Sequence, residues 1–310
     1  MKKLSFTVLA LAVILTGLPF LTGDLEKKDL NDETRKELGK DYIRLGDGVV
    51  HYEISGPEEG DVVVLIHGNA APLFSWDNNT IPLREAGFRI LRYDLYGFGY
   101  SDRPTVTYSR ELYERQLLEL LEQLNIDGPV NLVGTSQGGS IAVHFTAMHP
   151  EKVKKLAILS PFINVLPMKT MIAIARTPGV GEYLSHVLLD RININYPNKV
   201  FEDEGSLPDE YTRMYMKQLT YRGFKRARLS NLRSDAFADF TQQYETVEKT
   251  NIPVLLNWGS ADQVIMADSI ENIKNAIPSI KYNEVEGGGH LVHYENSGQV
   301  NDVLVRFLTE

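Results

Sequence analysis

The stretch Gly134-Thr135-Ser136-Gln137-Gly138 constrains this chain most, because it sets a serine between two glycines where an apolar strand gives way to a helix. Pro129-Val130-Asn131-Leu132-Val133 reads as a buried strand, and Gly139-Ser140-Ile141-Ala142-Val143-His144-Phe145 continues as a helix with an apolar face. A strand that turns sharply into a helix needs glycine on its flanks, since side chains there would meet neighbouring backbone. Such a turn lifts the serine hydroxyl to the end of a sheet and points the free N–H groups of the helix start at any charge developing there.

Three further stretches give that serine a context. Val62-Val63-Val64-Leu65-Ile66-His67-Gly68-Asn69 is a strand ending in His-Gly, and Ile90 to Ser101 is a strand running into the glycine-rich loop around Gly97 and Gly99. Val254 to Asp262 puts an acid just past a strand, and Gly287-Gly288-Gly289-His290 puts a histidine after another. With nucleophile, acid and histidine in the order Ser136, Asp262, His290, the chain resembles the α/β-hydrolase superfamily from about Tyr42 to the C-terminus. The resemblance implies an α/β-hydrolase fold, with a mostly parallel central sheet, crossover helices and an inserted helical cap.

Strand and helix patterns alternate from Asp61 to Leu159, as a parallel sheet requires. The alternation stops there and resumes at Ile252. Between them the pattern is helical, with breaks at Pro167, Pro178-Gly179, Pro197 and Pro208. Residues 42–163 and 241–310 are therefore expected as the hydrolase core and 164–240 as the cap, or lid. The first cap helix, with Met168, Met171 and Ile172, could face an acyl chain or be an ordinary buried helix. Arg222, Lys225, Arg226, Arg228 and Arg233 form a basic cluster in an otherwise acidic protein, read as a solvated helix face or a receiver for an anionic group.

Met1-Lys2-Lys3, the apolar run Leu4 to Leu21 and the polar exit from Asp24 predict a secretory signal peptide or an uncleaved membrane anchor over residues 1–23. Residues 24–41 are expected as a polar spacer. The protein is accordingly expected to be exported, either secreted or membrane-anchored outside the cytoplasm. A net charge of −9 lacks the basic footprint of a nucleic-acid binder. The chain has no cysteine, which excludes disulfides, thiolate metal sites and a lipid-modified cysteine. No cofactor is implied.

The resemblance also assigns roles. Ser136 is the expected nucleophile, His290 its base and Asp262 the acid that orients the base, with the backbone N–H groups of Asn69 and Gln137 as oxyanion donors. The three glycines before His290 favour it over His293, and Asp94, in Asp-x-x-Gly-x-Gly-x-Ser, is expected to brace its own loop. Met266 stands where the family often has a proline after the acid. His-Gly-Asn is similar to haloalkane dehalogenases, but those enzymes use an aspartate nucleophile. The lack of one argues equally against an epoxide hydrolase.

The leading functional expectation is hydrolysis of a small-molecule or lipid carboxylic ester through an acyl-enzyme, as in a carboxylesterase or monoacylglycerol lipase. The alternatives are a carbon–carbon bond hydrolase of the same fold and a non-catalytic ligand receptor or signalling protein. Export argues against the first of these, because its substrates are made by cytoplasmic enzymes.

Overall fold

A computed structural model describes residues 24–164, 169–201 and 207–310. The expected leader over 1–23 and the candidate pocket residue Met168 lie outside these residues. Among the described residues, no helix is long and apolar enough to cross a membrane.

Eight strands form one sheet in the order β1-β2-β4-β3-β5-β6-β7-β8. The hairpin β1 (Asp41–Leu45) and β2 (Gly48–Ser55) turns at Gly46-Asp47, and β2 runs antiparallel to β4 (Arg89–Tyr93). From β4 onward every pairing is parallel, through β3 (Val62–Ile66), β5 (Val130–Thr135), β6 (Val153–Leu159), β7 (Val254–Gly259) and β8 (Lys281–Val285). Strands β3, β5 and β7 are almost wholly apolar because helices cover both faces of a parallel sheet. The mostly parallel α/β-hydrolase sheet expected from the strand and helix alternation is what the chain forms.

Chain order places α1 (Asp32–Leu38) ahead of the sheet, and α2 (Asp77–Glu85), α3 (Arg110–Gln123) and α4 (Gln137–Met148) among its strands. Ser109 caps α3 by accepting from the Leu112 N–H, and Leu112, Leu117, Leu120 and Leu121 turn its apolar side inward. Between β6 and β7 come α5 (Lys169–Arg176), α6 (Val180–Ile194), α7 (Tyr196–Val200), α8 (Asp209–Gln218) and α9 (Phe224–Arg233). In this insertion α9 packs against α5 and α6. The core then continues with α10 (Thr241–Glu248), α11 (Ala267–Ala276), α12 (Val292–Glu295) and α13 (Ser297–Thr309).

The stretch expected over 24–41 as a spacer or loosely packed helix does contain the helix α1, and its first residues are not a solvated tether. Lys28 bridges Tyr221, and the Lys27 and Lys28 N–H groups both donate to the Thr220 carbonyl at 2.9 Å. The Glu26 carboxylate accepts from the N–H groups of Gly223 at 2.8 Å and Lys225 at 2.5 Å. A helix start leaves unpaired N–H groups and carries positive partial charge, so the carboxylate is well placed at the head of α9. The partner lies 197 residues along the chain, beyond the reach of local pattern.

Close packing of α4 on the sheet depends on two missing side chains. A Cβ at Gly134 would meet the Gly138 backbone, and one at Gly138 would meet the carbonyls of Ile66 and His67 at the end of β3. Gly138→Ala should therefore destabilise the fold by about 1–3 kcal/mol through overpacking, read as a melting temperature several degrees lower. An unchanged melting temperature would mean that β3 and α4 can separate freely.

Candidate active site

Ser136 joins β5 to α4 with φ 51° and ψ −122°, a conformation few non-glycine residues adopt. Its own N–H donates to the Leu159 carbonyl at 2.8 Å, tying the turn to the end of β6. A Cβ placed on Gly68 would lie 3.1 Å from the Ser136 Cβ, so glycine there lets the end of β3 approach the serine. Gln137 follows at the first position of α4, where a helix has no intrahelical acceptor for its N–H.

Asp262 and His290 arrive from the loops after β7 and β8. Their loops touch at Gly259, where a Cβ would strike the Gly288 backbone, and the Ala261 N–H donates to the Gly288 carbonyl at 3.0 Å. His290 Nδ1 lies 2.9 Å from Asp262 Oδ2, with both side chains buried. Burial raises the Asp262 carboxyl, but the facing His290 imidazole and the Ile265 and Val264 N–H groups outweigh it and hold it below the ordinary aspartate range. An ionised carboxylate only accepts, so the proton of neutral His290 sits on Nδ1 and Nε2 carries the lone pair. Neither the Ser136 hydroxyl nor His290 Nε2 has a hydrogen-bond partner among the described residues. The Asp262–His290 pair is thus joined, while the serine hydroxyl is free.

Of the other six histidines, His186 is exposed on α6 and five are committed elsewhere. His67 is buried with Nδ1 2.7 Å from the Gly68 carbonyl, and its Nε2 accepts from the Leu95 N–H at 2.9 Å; burial lowers its pKa. The buried Asp94 carboxylate faces His51 Nδ1 at 2.6 Å and accepts from the N–H groups of Leu73 at 2.9 Å and Tyr100 at 2.8 Å, so it does brace its loop. His144 and His149 share Glu114, each at 2.8 Å. His293 lies against Trp76 with ring centroids 4.3 Å apart and the planes tilted by 44°, and neither ring nitrogen has a partner among the described residues.

Two expectations about side chains need correction. Met171 is exposed while Ile172 is buried in the core, so consecutive residues on α5 face apart and do not line one slot. The basic cluster is a solvated face only in part, at the exposed Arg222 and Arg226. Arg222 pairs with Asp29, Lys225 with Asp24 and Asp190, and Arg233 with Glu182, while Arg226 donates to the carbonyls of Arg103 and Pro104. Lys225 and Arg228 are in fact buried.

Arg228 differs from the rest of the cluster. It donates to Asn193 Oδ1 at 2.6 Å and lies 5.6 Å from the Tyr196 ring centroid, but no carboxylate pairs with it among the described residues. Its Nε and the Asn193 Nδ2 are buried without partners. One turn along α9, Asn231 Oδ1 accepts from Gln137 Nε2 at 2.8 Å, and Asn69 Nδ2 donates to Gln137 Oε1 at 2.9 Å. The two residues expected to offer backbone donors are therefore also joined side chain to side chain, and Gln137 links the pair to the insertion. Arg228 was visible in sequence only as one of five basic residues. Asn193 and Asn231 carried no signal, since an isolated asparagine in a helix shows nothing of what it faces. No cluster of metal-ligating side chains occurs among the described residues.

A family model for the alpha/beta hydrolase fold matches residues 61–297. A 2-hydroxy-6-oxononadienedioate/2-hydroxy-6-oxononatrienedioate hydrolase of Pseudomonas putida is 28% identical over 300 residues, covering 89% of this chain and 98% of that protein. Rat bifunctional epoxide hydrolase 2 is 24% identical over 88% of this chain, which spans 56% of that protein. Among solved structures, a bromoperoxidase from Bacillus anthracis has a TM-score of 0.75 at 24% identity, covering 87% of this chain and 100% of that one.

Burial, reinforced by neighbouring His290, pushes the His293 imidazole down to about 3. An unfolded histidine titrates near 6.5, so between these values the unfolded chain binds one more proton. Stability from this group is therefore complete above the unfolded pKa and falls as pH drops toward the folded one, by about 1.4 kcal/mol per pH unit. His293→Phe removes that term. Urea unfolding between roughly pH 7 and pH 5 should show a flatter loss of stability in the variant than in the parent. Parallel slopes would mean that His293 protonates in the folded state.

Proposed function

Because this chain belongs to the α/β-hydrolase family, we propose that it is a serine-dependent hydrolase of a small substrate bearing a carboxylate, cleaving the carbon–carbon bond next to a ketone. The observation that carries this reading is Arg228, a buried guanidinium without a carboxylate partner among the described residues, one helical turn from the residue that touches Gln137. An unpaired buried charge is costly, and a substrate carboxylate would relieve it with charge-assisted hydrogen bonds. The Pseudomonas putida relative is named for a dienedioate, itself a dicarboxylate. This reading displaces the ester hydrolysis expected from sequence, which would use the same three side chains. The epoxide hydrolase relative gives less support, since Ser136 occupies the position where the resemblance would require an aspartate nucleophile.

In this reading His290 Nε2 takes the Ser136 proton as the oxygen attacks the ketone carbon, and Asp262 stabilises the imidazolium that results. The N–H groups of Gln137 and Asn69 receive the oxyanion. Collapse breaks the adjacent carbon–carbon bond, and the departing carbon takes the proton from His290. Water, activated by the same imidazole, then releases the acid from Ser136. That Ser136 and His290 share no hydrogen bond among the described residues is compatible with this sequence, because such hydrogen bonds often tighten only when substrate is bound.

Ser136→Ala should lower turnover by on the order of 10³-fold or more, and Asp262→Asn by roughly 10²- to 10⁴-fold with little change in KM. Arg228→Met separates the substrate classes. On an oxo-dienoate it should raise KM by roughly 10²-fold, the worth of a charge-assisted bond pair, and on a neutral p-nitrophenyl ester it should change little. Equal effects on both substrates would remove the carboxylate from the reading, and faster turnover of the ester than of the oxo-dienoate by the parent would restore ester hydrolysis.

A further inference from the structure

Large apolar side chains are exposed unevenly over this surface. Six of the ten that stand out among the described residues, Met171, Ile174, Val180, Leu188, Ile192 and Ile194, lie on α5 and α6. Leu184, Leu188 and Ile192 recur at the four-residue spacing of one helix face. With Met171 and Ile174 of α5, and Arg228, Leu229 and Leu232 of α9, they line an open groove of about 480 Å³, so the guanidinium assigned above to the substrate carboxylate opens onto this same groove. Exposed apolar patches of this kind mark a partner or a membrane.

The adjoining chain indicates which. Asp24 is the first described residue, and it is clamped beside α6: Lys225 Nζ lies 2.8 Å from Asp24 Oδ1 and 3.2 Å from Asp190 Oδ2, and the Leu25 N–H donates to Asp190 at 3.1 Å. Asp190 faces away from Leu188 on α6. In the sequence only Thr22 and Gly23 separate Asp24 from the apolar run Leu4 to Leu21. Apart from Ser5, Thr7, Thr16, Gly17 and Pro19 that run is apolar, and its length approaches what the core of a bilayer accommodates.

Charge agrees. On α5 and α6 both acids are neutralised, Glu182 by Arg233 and Asp190 by Lys225. Lys169, Arg176 and Arg191 are exposed and have no carboxylate partner among the described residues, in a chain of net charge −9. Cations beside an apolar face suit anionic headgroups. We propose that the α5–α6 face docks on an anionic phospholipid bilayer, the same bilayer that receives the run Leu4 to Leu21. The insertion over Ser136 would then rest on the membrane, and the core would face away from it.

The absence of cysteine makes the test simple, because one introduced thiol is unique. Full-length Leu188→Cys and Met171→Cys, each carrying an environment-sensitive nitrobenzoxadiazole label, are compared with Asp127→Cys, an exposed position just before β5 at the other end of the sheet. Melting temperature establishes that each variant folds. On phosphatidylcholine–phosphatidylglycerol vesicles, labels at 188 and 171 should shift to the blue and be quenched several-fold more by acyl-chain nitroxides than the label at 127. Adding Lys169→Glu, Arg176→Glu and Arg191→Glu should abolish that excess. Equal quenching at all three positions overturns the proposal. So does a full blue shift at 188 before vesicles are added, which would show that protein, the chain's own leader or a second copy, fills the groove.

Discussion

The turn at Ser136 depends on steric exclusion: α4 can lie against the ends of β3 and β5 only because Gly134 and Gly138 have no side chains. That contact forces the positive φ of Ser136 and stands its hydroxyl at the strand ends, next to Gly68. The strain is local and is held in place by its surroundings. The Ser136 N–H is tied to β6, and the glycines are pressed against carbonyls that belong to the buried sheet. A side chain in such a conformation is presented to the site instead of finding its own way there.

Buried polar groups do the corresponding work around it. Asp94 draws the loops after β3 and β4 together through the Leu73 and Tyr100 N–H groups, and His67 holds the Leu95 N–H in a tautomer set by the Gly68 carbonyl. Each bond satisfies a group that would be costly to bury alone. The network continues into the insertion, since Gln137 joins Asn69 to Asn231. Movement of α9 would therefore disturb the residue directly after the serine. Arg228, one turn earlier on the same helix, is the one cation of its cluster that meets neither a backbone carbonyl nor a carboxylate among the described residues; its acceptor is a side-chain amide. The asymmetry leaves the insertion with a buried guanidinium answered, among the described residues, only by an amide.

The N-terminal stretch and the insertion are coupled in a similar way. Glu26 caps α9 and Asp24 shares Lys225 with Asp190, so residues 24–28 act as a strap across the helices that carry Arg228 and Asn231. A segment that reads as a solvated spacer is therefore part of the insertion's support. Its charges were legible in sequence, but their partners were not.

Sequence alone determined the mostly parallel sheet, the serine turn and the order in which Ser136, Asp262 and His290 occur. These rest on local requirements: apolar runs for doubly covered strands, glycine where backbone meets backbone, and loops at strand ends. Tertiary structure decided the rest. It turned Met171 outward and Ile172 inward from adjacent positions, buried Arg228 without an acid, made Asn231 the partner of Gln137, and laid the acidic stretch at residues 24–28 against α9. Each of these follows from contacts between residues far apart in the chain, and a residue's burial or charge partner is a property of what packs against it, which no local pattern records.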